Sequence, residues 1–155
     1  MTQQVGLKDG WDAAIAAMEA SAGGPFGAAV MRGKAVIAVA ANGVTTLNDP
    51  TAHAEIMAIR LACDVLGTHR LTDCELYATC EPCPMCLAAA YWARLRRVYY
   101  AVDRHTADLI GFDDSFIYHE LEKPNAARRL RMRQGHPLLA GKVERLMRAW
   151  KGEMY

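Results

Sequence analysis

Three cysteines stand within the seven residues CEPCPMC, at Cys80, Cys83 and Cys86, and form two overlapping C-x-x-C pairs. Thiolates together with an imidazole are preferred protein ligands of zinc, in tetrahedral geometry. The run CPMC reads as the start of a helix, because Pro84 lacks an amide that would have no partner in a first turn. Cys83 and Cys86, three apart, then lie on the same side of that turn. The positive end of the helix dipole stabilises two thiolates there. Cys80 falls upstream, where a strand ends and Pro82 bars an earlier helix start. Cys83 and Cys86 are therefore assigned as metal ligands, and Cys80 as a neighbouring thiol.

The stretch TAHAEIMAI, residues 51–59, offers a third ligand in His53 and a carboxylate in Glu55. Two positions apart is about 200° around a helix, so in mid-helix these side chains diverge. At an open first turn both can reach over the end toward one point. That placement asks for a helix beginning near Thr51, which Asp49-Pro50 independently favours. Three protein ligands leave a fourth position for water, the pattern of a catalytic zinc; adding Cys80 would seal the site and leave Glu55 without a role. An open zinc lowers the pKa of its water toward about 7. Glu55 beside that water can take its proton and pass it to a ring nitrogen and then to a departing amine. Hydrolytic deamination needs these parts.

The elements that must position them can be read from periodicity. Trp11, Ile15 and Met18 fall at helical spacing between Lys8 and Ala22, and Gly23-Gly24-Pro25 stops that helix. GAAVMR and AVIAVA, separated by Gly33-Lys34, read as a hairpin. In the helix from about Thr51, Ile56, Ile59, Cys63 and Leu66 form one apolar stripe ending at Gly67. CELYAT is a strand, CPMC opens a helix running through LAAAYWARL, and RRVYYAV is a further strand. PLLAGKVERLMRAW is an amphipathic helix with Leu139, Val143, Leu146 and Trp150 on one side. The stretch from Thr106 to Asn125 is the least regular. Strands alternating with helices after a hairpin predict a mixed sheet covered on both faces.

The 155 residues suffice for one domain with a hydrophobic core, and 52% apolar with 23% charged residues is ordinary for a globular protein. No basic start leads into an apolar run at the N-terminus, and no uncharged stretch is long enough to span a bilayer. Five cysteines without a signal segment point to reduced thiols and a cytoplasmic setting. The net charge of +1 divides unevenly: residues 124–155 hold eight Lys or Arg against two acids, +6, which leaves −5 for residues 1–123. A basic tail can serve as a nucleic-acid arm, but phosphate binding usually wants a broader basic surface. The expected reading is a solvated helix face, or a tail packed on an acidic body.

The motifs H-A-E and P-C-P-M-C resemble the zinc-dependent cytidine deaminase superfamily. The resemblance extends to the bacterial guanine deaminases through GGPFGA (23–28), NGVTTLNDPTAHAE (42–55), CEPCPMC (80–86), YWAR (91–94) and GFDDSFIY (111–118). It implies an α/β fold of three layers, α/β/α, with a five-stranded mixed sheet between helices. It implies one zinc per chain on His53, Cys83 and Cys86, with Glu55 shuttling protons. It further implies that Phe26 stacks on a purine and that Asn42 hydrogen-bonds the base. Asp114 would read the opposite edge and assist the leaving ammonia, with the amide of Ala54 close to substrate. Residues 1–155 would form a single domain, with 125–155 as a helical tail. The family pattern is a homodimer with exchanged C-terminal segments, in which Tyr155 would complete the partner's pocket.

The expected reaction is hydrolysis of guanine to xanthine and ammonia. Guanosine, cytosine or another aminated heterocycle would need only a different pocket. A tRNA adenosine deaminase would use the basic tail to hold phosphates. GFDDSFIY and the near-neutral charge argue against that polymer substrate.

Overall fold

The computed structural model describes residues 2–155, with side chains from Lys8 onward. The chain divides into two compact units, the first ending at Ser115 and the second spanning Phe116–Tyr155. Helix α1 (Thr2–Glu19) precedes the hairpin of β1 (Gly27–Arg32) and β2 (Ala35–Ala41), and a single turn, α2 (Val44–Leu47), leads to α3 (Ala54–Leu66). Then follow β3 (Glu75–Cys80), α4 (Pro84–Trp92), β4 (Arg97–Val102) and α5 (Arg104–Ile110). Among the described residues no helix is long and apolar enough to cross a membrane.

The sheet order is β2-β1-β3-β4, with β1 antiparallel to both neighbours and β3 parallel to β4. Period-two alternation sorts β1 between two cores. Ala28 and Val30 face Ala54, Ala58, Ile59, Ala62 and Ala90 of α3 and α4. Ala29 and Met31 face Ala14 of α1, with Tyr77. Trp11 meets Tyr77 edge-on at 5.6 Å, and Tyr77 stacks on Tyr99 at 4.9 Å. The result is the expected α/β arrangement of helix, sheet and helices. Small residues let the first layer close: a Cβ on Gly27 would stand 2.0 Å from the Ala14 carbonyl oxygen.

The five strands implied by resemblance are four among the described residues. After β4 the chain commits to helix. The carboxylate of Asp103 accepts the Thr106 N–H at 2.8 Å as the N-cap of α5. The segment expected to be irregular thus holds α5 and α6 (Ser115–Glu122). The run RRLRMRQGH that follows alternates Leu130 and Met132 with arginines, but both stay exposed and the run forms no strand among the described residues.

The sheet register decides where function can lie. Gly27 pairs with Ala41, Ala28 with Ala78, and Cys80 with Val102. Phe26, Asn42, the CEPCPMC loop and Asp103 therefore leave the sheet at one end. That end carries the carboxyl termini of the parallel strands, where open α/β sheets bind ligands.

In the second unit a 3-10 turn (Asn125–Ala127) joins α6 to the chain leading to α7 (Pro137–Arg148). The Arg128 guanidinium donates to the carbonyls of Glu120, Leu121 and Lys123, each at 3.0 Å, and closes the open end of α6. One charge of the basic tail is thus a helix cap. On α7 the predicted apolar side is exposed, with Leu139 at 61% and Leu146 at 64%.

Candidate metal centre and active site

Two helix beginnings meet at this end of the sheet, and neither carries an ordinary cap. His53 is the N-cap of α3 and Cys83 that of α4, both in extended backbone, and neither side chain makes a standard capping hydrogen bond. N-cap positions usually carry Ser, Thr, Asp or Asn to occupy open N–H groups. Here the side chains turn to each other: His53 Nδ1 lies 3.6 Å from Cys83 Sγ and 3.5 Å from Cys86 Sγ. All three ligand atoms fall within 4.8 Å of one another. Zinc bonds of about 2.0 Å to nitrogen and 2.3 Å to sulfur, opened to a tetrahedral angle, would separate N from S by about 3.5 Å. The donor set fits one zinc ion in both chemistry and size.

Helix α3 begins at Ala54 and not near Thr51. Asp49 accepts both the N–H and the hydroxyl of Thr51, at 2.8 and 2.7 Å, and that side-chain turn holds the approach out of the helix. The delay puts His53 at the cap and Glu55 inside the first turn, so both still address the helix end. Glu55 is only 8% exposed, and burial pushes its carboxyl above the usual range. Ala54 is buried between them.

The two sulfurs are pulled in opposite directions. A hydrogen bond from Cys86, supported by His53 against the cost of burial, draws Cys83 down to about 4. Cys86, with no exposed surface, is pushed up by Cys83 and by burial. His53 is pushed up, chiefly by Cys83. A coordinating divalent cation would deprotonate both thiols outright. Cys80 stands apart from the three-residue cluster. Burial, then the charges of Glu55 and Asp114, push its thiol to about 11.

The flanks of the cluster hold most of the remaining sequence candidates. Phe26 is half-buried, and its ring meets Phe112 edge-on at 4.9 Å. The Asn42 amide donates to the Gly23 carbonyl at 2.7 Å, which fixes its plane. Gly24 sits at φ +138°, and a Cβ there would stand 2.3 Å from Asn42 Nδ2. The Gly-Gly pair therefore seats Asn42. Asp114 is half-buried; burial, then the Cys83 charge, push its carboxyl up. Tyr155 lies in the second unit and is 78% exposed.

Two residues escaped the sequence reading. Phe112 braces Phe26, and its signal was the preceding Gly111, whose φ of +105° ends α5 and turns the chain back. Glu81 accepts the Arg104 N–H at 3.0 Å, a link across 23 positions that spacing does not reveal.

Residues 8–102 match the cytidine and deoxycytidylate deaminase zinc-binding region, and the chain belongs to that family. Within it, the chain is 54% identical over 124 residues to guanine deaminase of Bacillus subtilis, covering 80% of each protein. An X-ray structure of guanine deaminase from Bacillus subtilis aligns with a TM-score of 0.88 at 45% identity, over 100% of this chain and 99% of that one. A tRNA-specific adenosine deaminase of Agrobacterium fabrum is 53% identical over 76 residues, only 49% of this chain and 50% of that one. The family read from H-A-E and P-C-P-M-C is borne out.

Proposed function

We infer that this protein is a zinc-dependent aminohydrolase that converts guanine and water to xanthine and ammonia. The observation that carries the reading is the convergence of His53, Cys83 and Cys86 beside the buried Glu55. Similarity to guanine deaminase over four-fifths of the chain selects the substrate. Zinc bound by those three residues would supply a Lewis acid and make a water acidic near neutral pH.

The protein's own groups do the rest. Phe26, braced by Phe112, offers a π-face to the flat base. Asn42, its amide plane fixed through Gly23, hydrogen-bonds the lactam edge, and the Ala54 amide lies at the substrate's approach. Asp114 accepts from the ring N–H and the amine on C2. Glu55 takes a proton from water as its oxygen bonds C2 and delivers it to a ring nitrogen. It then carries the second proton to the amine as the C–N bond breaks and ammonia leaves. A carboxyl whose pKa is raised by burial suits this alternation between base and acid.

In the same reading, residues 1–155 act as one catalytic domain in the cytoplasm, and the working form is a homodimer. The segment 125–155 would cross to the partner and bring Tyr155 to its pocket. The exposed apolar side of α7 supports this, because it offers surface for a second chain to cover.

Ammonia release from guanine, guanosine, cytosine, adenine and tRNA tests the assignment. Turnover of guanine that disappears on zinc removal and returns on readdition is expected. A preference for tRNA that weakens steeply with salt would overturn the reading in favour of the adenosine deaminases.

A further inference from the structure

The metal loop follows β3 and the loop carrying Asp114 follows β4 and α5, and beyond the last ladder pair, Cys80 with Val102, a further joint is needed to keep them in register. The structure contains such a joint. Glu81 lies inside CEPCPMC, one residue past β3 and two before Cys83. Its N–H donates to the Val102 carbonyl at 2.7 Å and extends the parallel ladder beyond Cys80. Its half-buried carboxylate accepts the N–H of Arg104, the first residue of α5, at 3.0 Å. Asp103 accepts the N–H of Thr106 from the same turn. Two of the open donors at the start of α5 are thereby occupied, one from within the helix's own segment and one from the metal loop.

From that anchored start α5 runs seven residues and ends at Gly111. The N–H of Gly111 bonds the Asp108 carbonyl at 2.9 Å, and that of Phe112 bonds Ala107 at 3.0 Å. Phe112 then packs on Phe26, and Asp114 follows two residues later. Helix α5 thus links the Glu81 carboxylate at its first residue to Phe112 and Asp114 just beyond its end.

We propose that Glu81 is a positioning residue for the deamination. By holding the first turn of α5 to the metal loop, it sets Asp114 and Phe112 against the metal cluster and Glu55 without touching the substrate. A misplacement of about 1 Å in a catalytic arrangement can cost on the order of 100-fold in rate. A charge-assisted hydrogen bond to a backbone N–H is suited to preventing one.

Glu81 acts through Asp114, so it rests on the base-reading role given to that residue above. The test is a double-mutant cycle on guanine turnover with zinc content and circular dichroism measured alongside. Glu81→Ala should keep its zinc and its fold while kcat/KM falls about 10- to 100-fold. Glu81→Gln retains a carbonyl acceptor and should recover most of the loss. Combined with Asp114→Asn, Glu81→Ala should cost little more than the larger single change, because both remove the same placement. Should Glu81→Ala fold poorly, Glu81→Asp, too short to reach the Arg104 N–H, carries the same expectations. Wild-type turnover by Glu81→Ala beside a crippled Asp114→Asn would overturn the positioning role alone. Loss of zinc in step with activity, or fully multiplicative losses in the cycle, would also overturn it. Full activity of Asp114→Asn would remove the role of Asp114 first, and that of Glu81 with it.

Discussion

Glu55 is a carboxylate with almost no access to solvent, held one residue inside a helix whose cap is a metal ligand. Burial favours its neutral form, and any cation on His53, Cys83 and Cys86 favours its charge. A group balanced between these pulls can accept and return a proton in one catalytic cycle. Glu55→Gln keeps the shape and hydrogen bonding but cannot carry the proton. It should retain zinc and fold while activity drops about 10²- to 10⁴-fold, as read from ammonia release. A second test separates the three neighbouring thiols. Cys80→Ser should keep its zinc and measurable activity, whereas Cys83→Ser and Cys86→Ser should lose both, by metal analysis of the purified variants. Equal zinc loss from the Cys80 and Cys83 variants would mean that the sealed four-ligand site is the right one.

At the scale of elements, Tyr77 shows how tightly α1 and the sheet are joined. Its ring lies between Trp11 and Tyr99, and burial, with a smaller push from the Glu75 charge, raises its hydroxyl to about 12. An unfolded tyrosine titrates near 10. The folded value is the higher, so the contribution to stability is present below pH 10 and is lost as pH rises toward 12. Urea unfolding across that range should show stability falling for the wild type and falling less for Tyr77→Phe. The strands and the helix at CPMC were legible in sequence because alternation and a proline at a helix start are local signals. The beginning of α3 was not, because it turns on Asp49 capturing Thr51. Nor was the helical stretch after β4, where one cap lies at Asp103 but the other comes from Glu81. The cluster of His53, Cys83 and Cys86 could be read because each of the three sits in or beside the first turn of a helix. Phe112 could not, because its partner Phe26 is distant in sequence.

At the scale of the whole molecule, the role proposed for the tail has two direct tests. Removing residues from Lys151 onward should leave a folded, zinc-loaded protein with a higher KM for guanine if Tyr155 completes a pocket. A terminus that does nothing would tolerate the loss. Mixing a variant lacking Tyr155 with Glu55→Gln tests exchange directly. In mixed dimers one pocket then combines an intact Glu55 with the partner's Tyr155. Random pairing of protomers in a twofold dimer predicts recovery at roughly a quarter of the sites. No recovery, with mixed dimers demonstrated, would mean that each tail serves its own pocket or none.

The bare caps of α3 and α4 set the enzyme's chemistry against its own durability. A residue chosen to bind a metal occupies a position where a hydroxyl would hold the helix better. Cys83→Ser, dead as a catalyst, places a good capping group at the start of α4. Compared in the presence of a chelator, it should therefore outlast the metal-stripped wild type, by about 1 kcal/mol in urea unfolding. A mutation that abolishes turnover would then be favoured by folding alone wherever the metal is scarce. Drift at this codon would run toward a sturdier, silent descendant unless demand for the reaction opposed it.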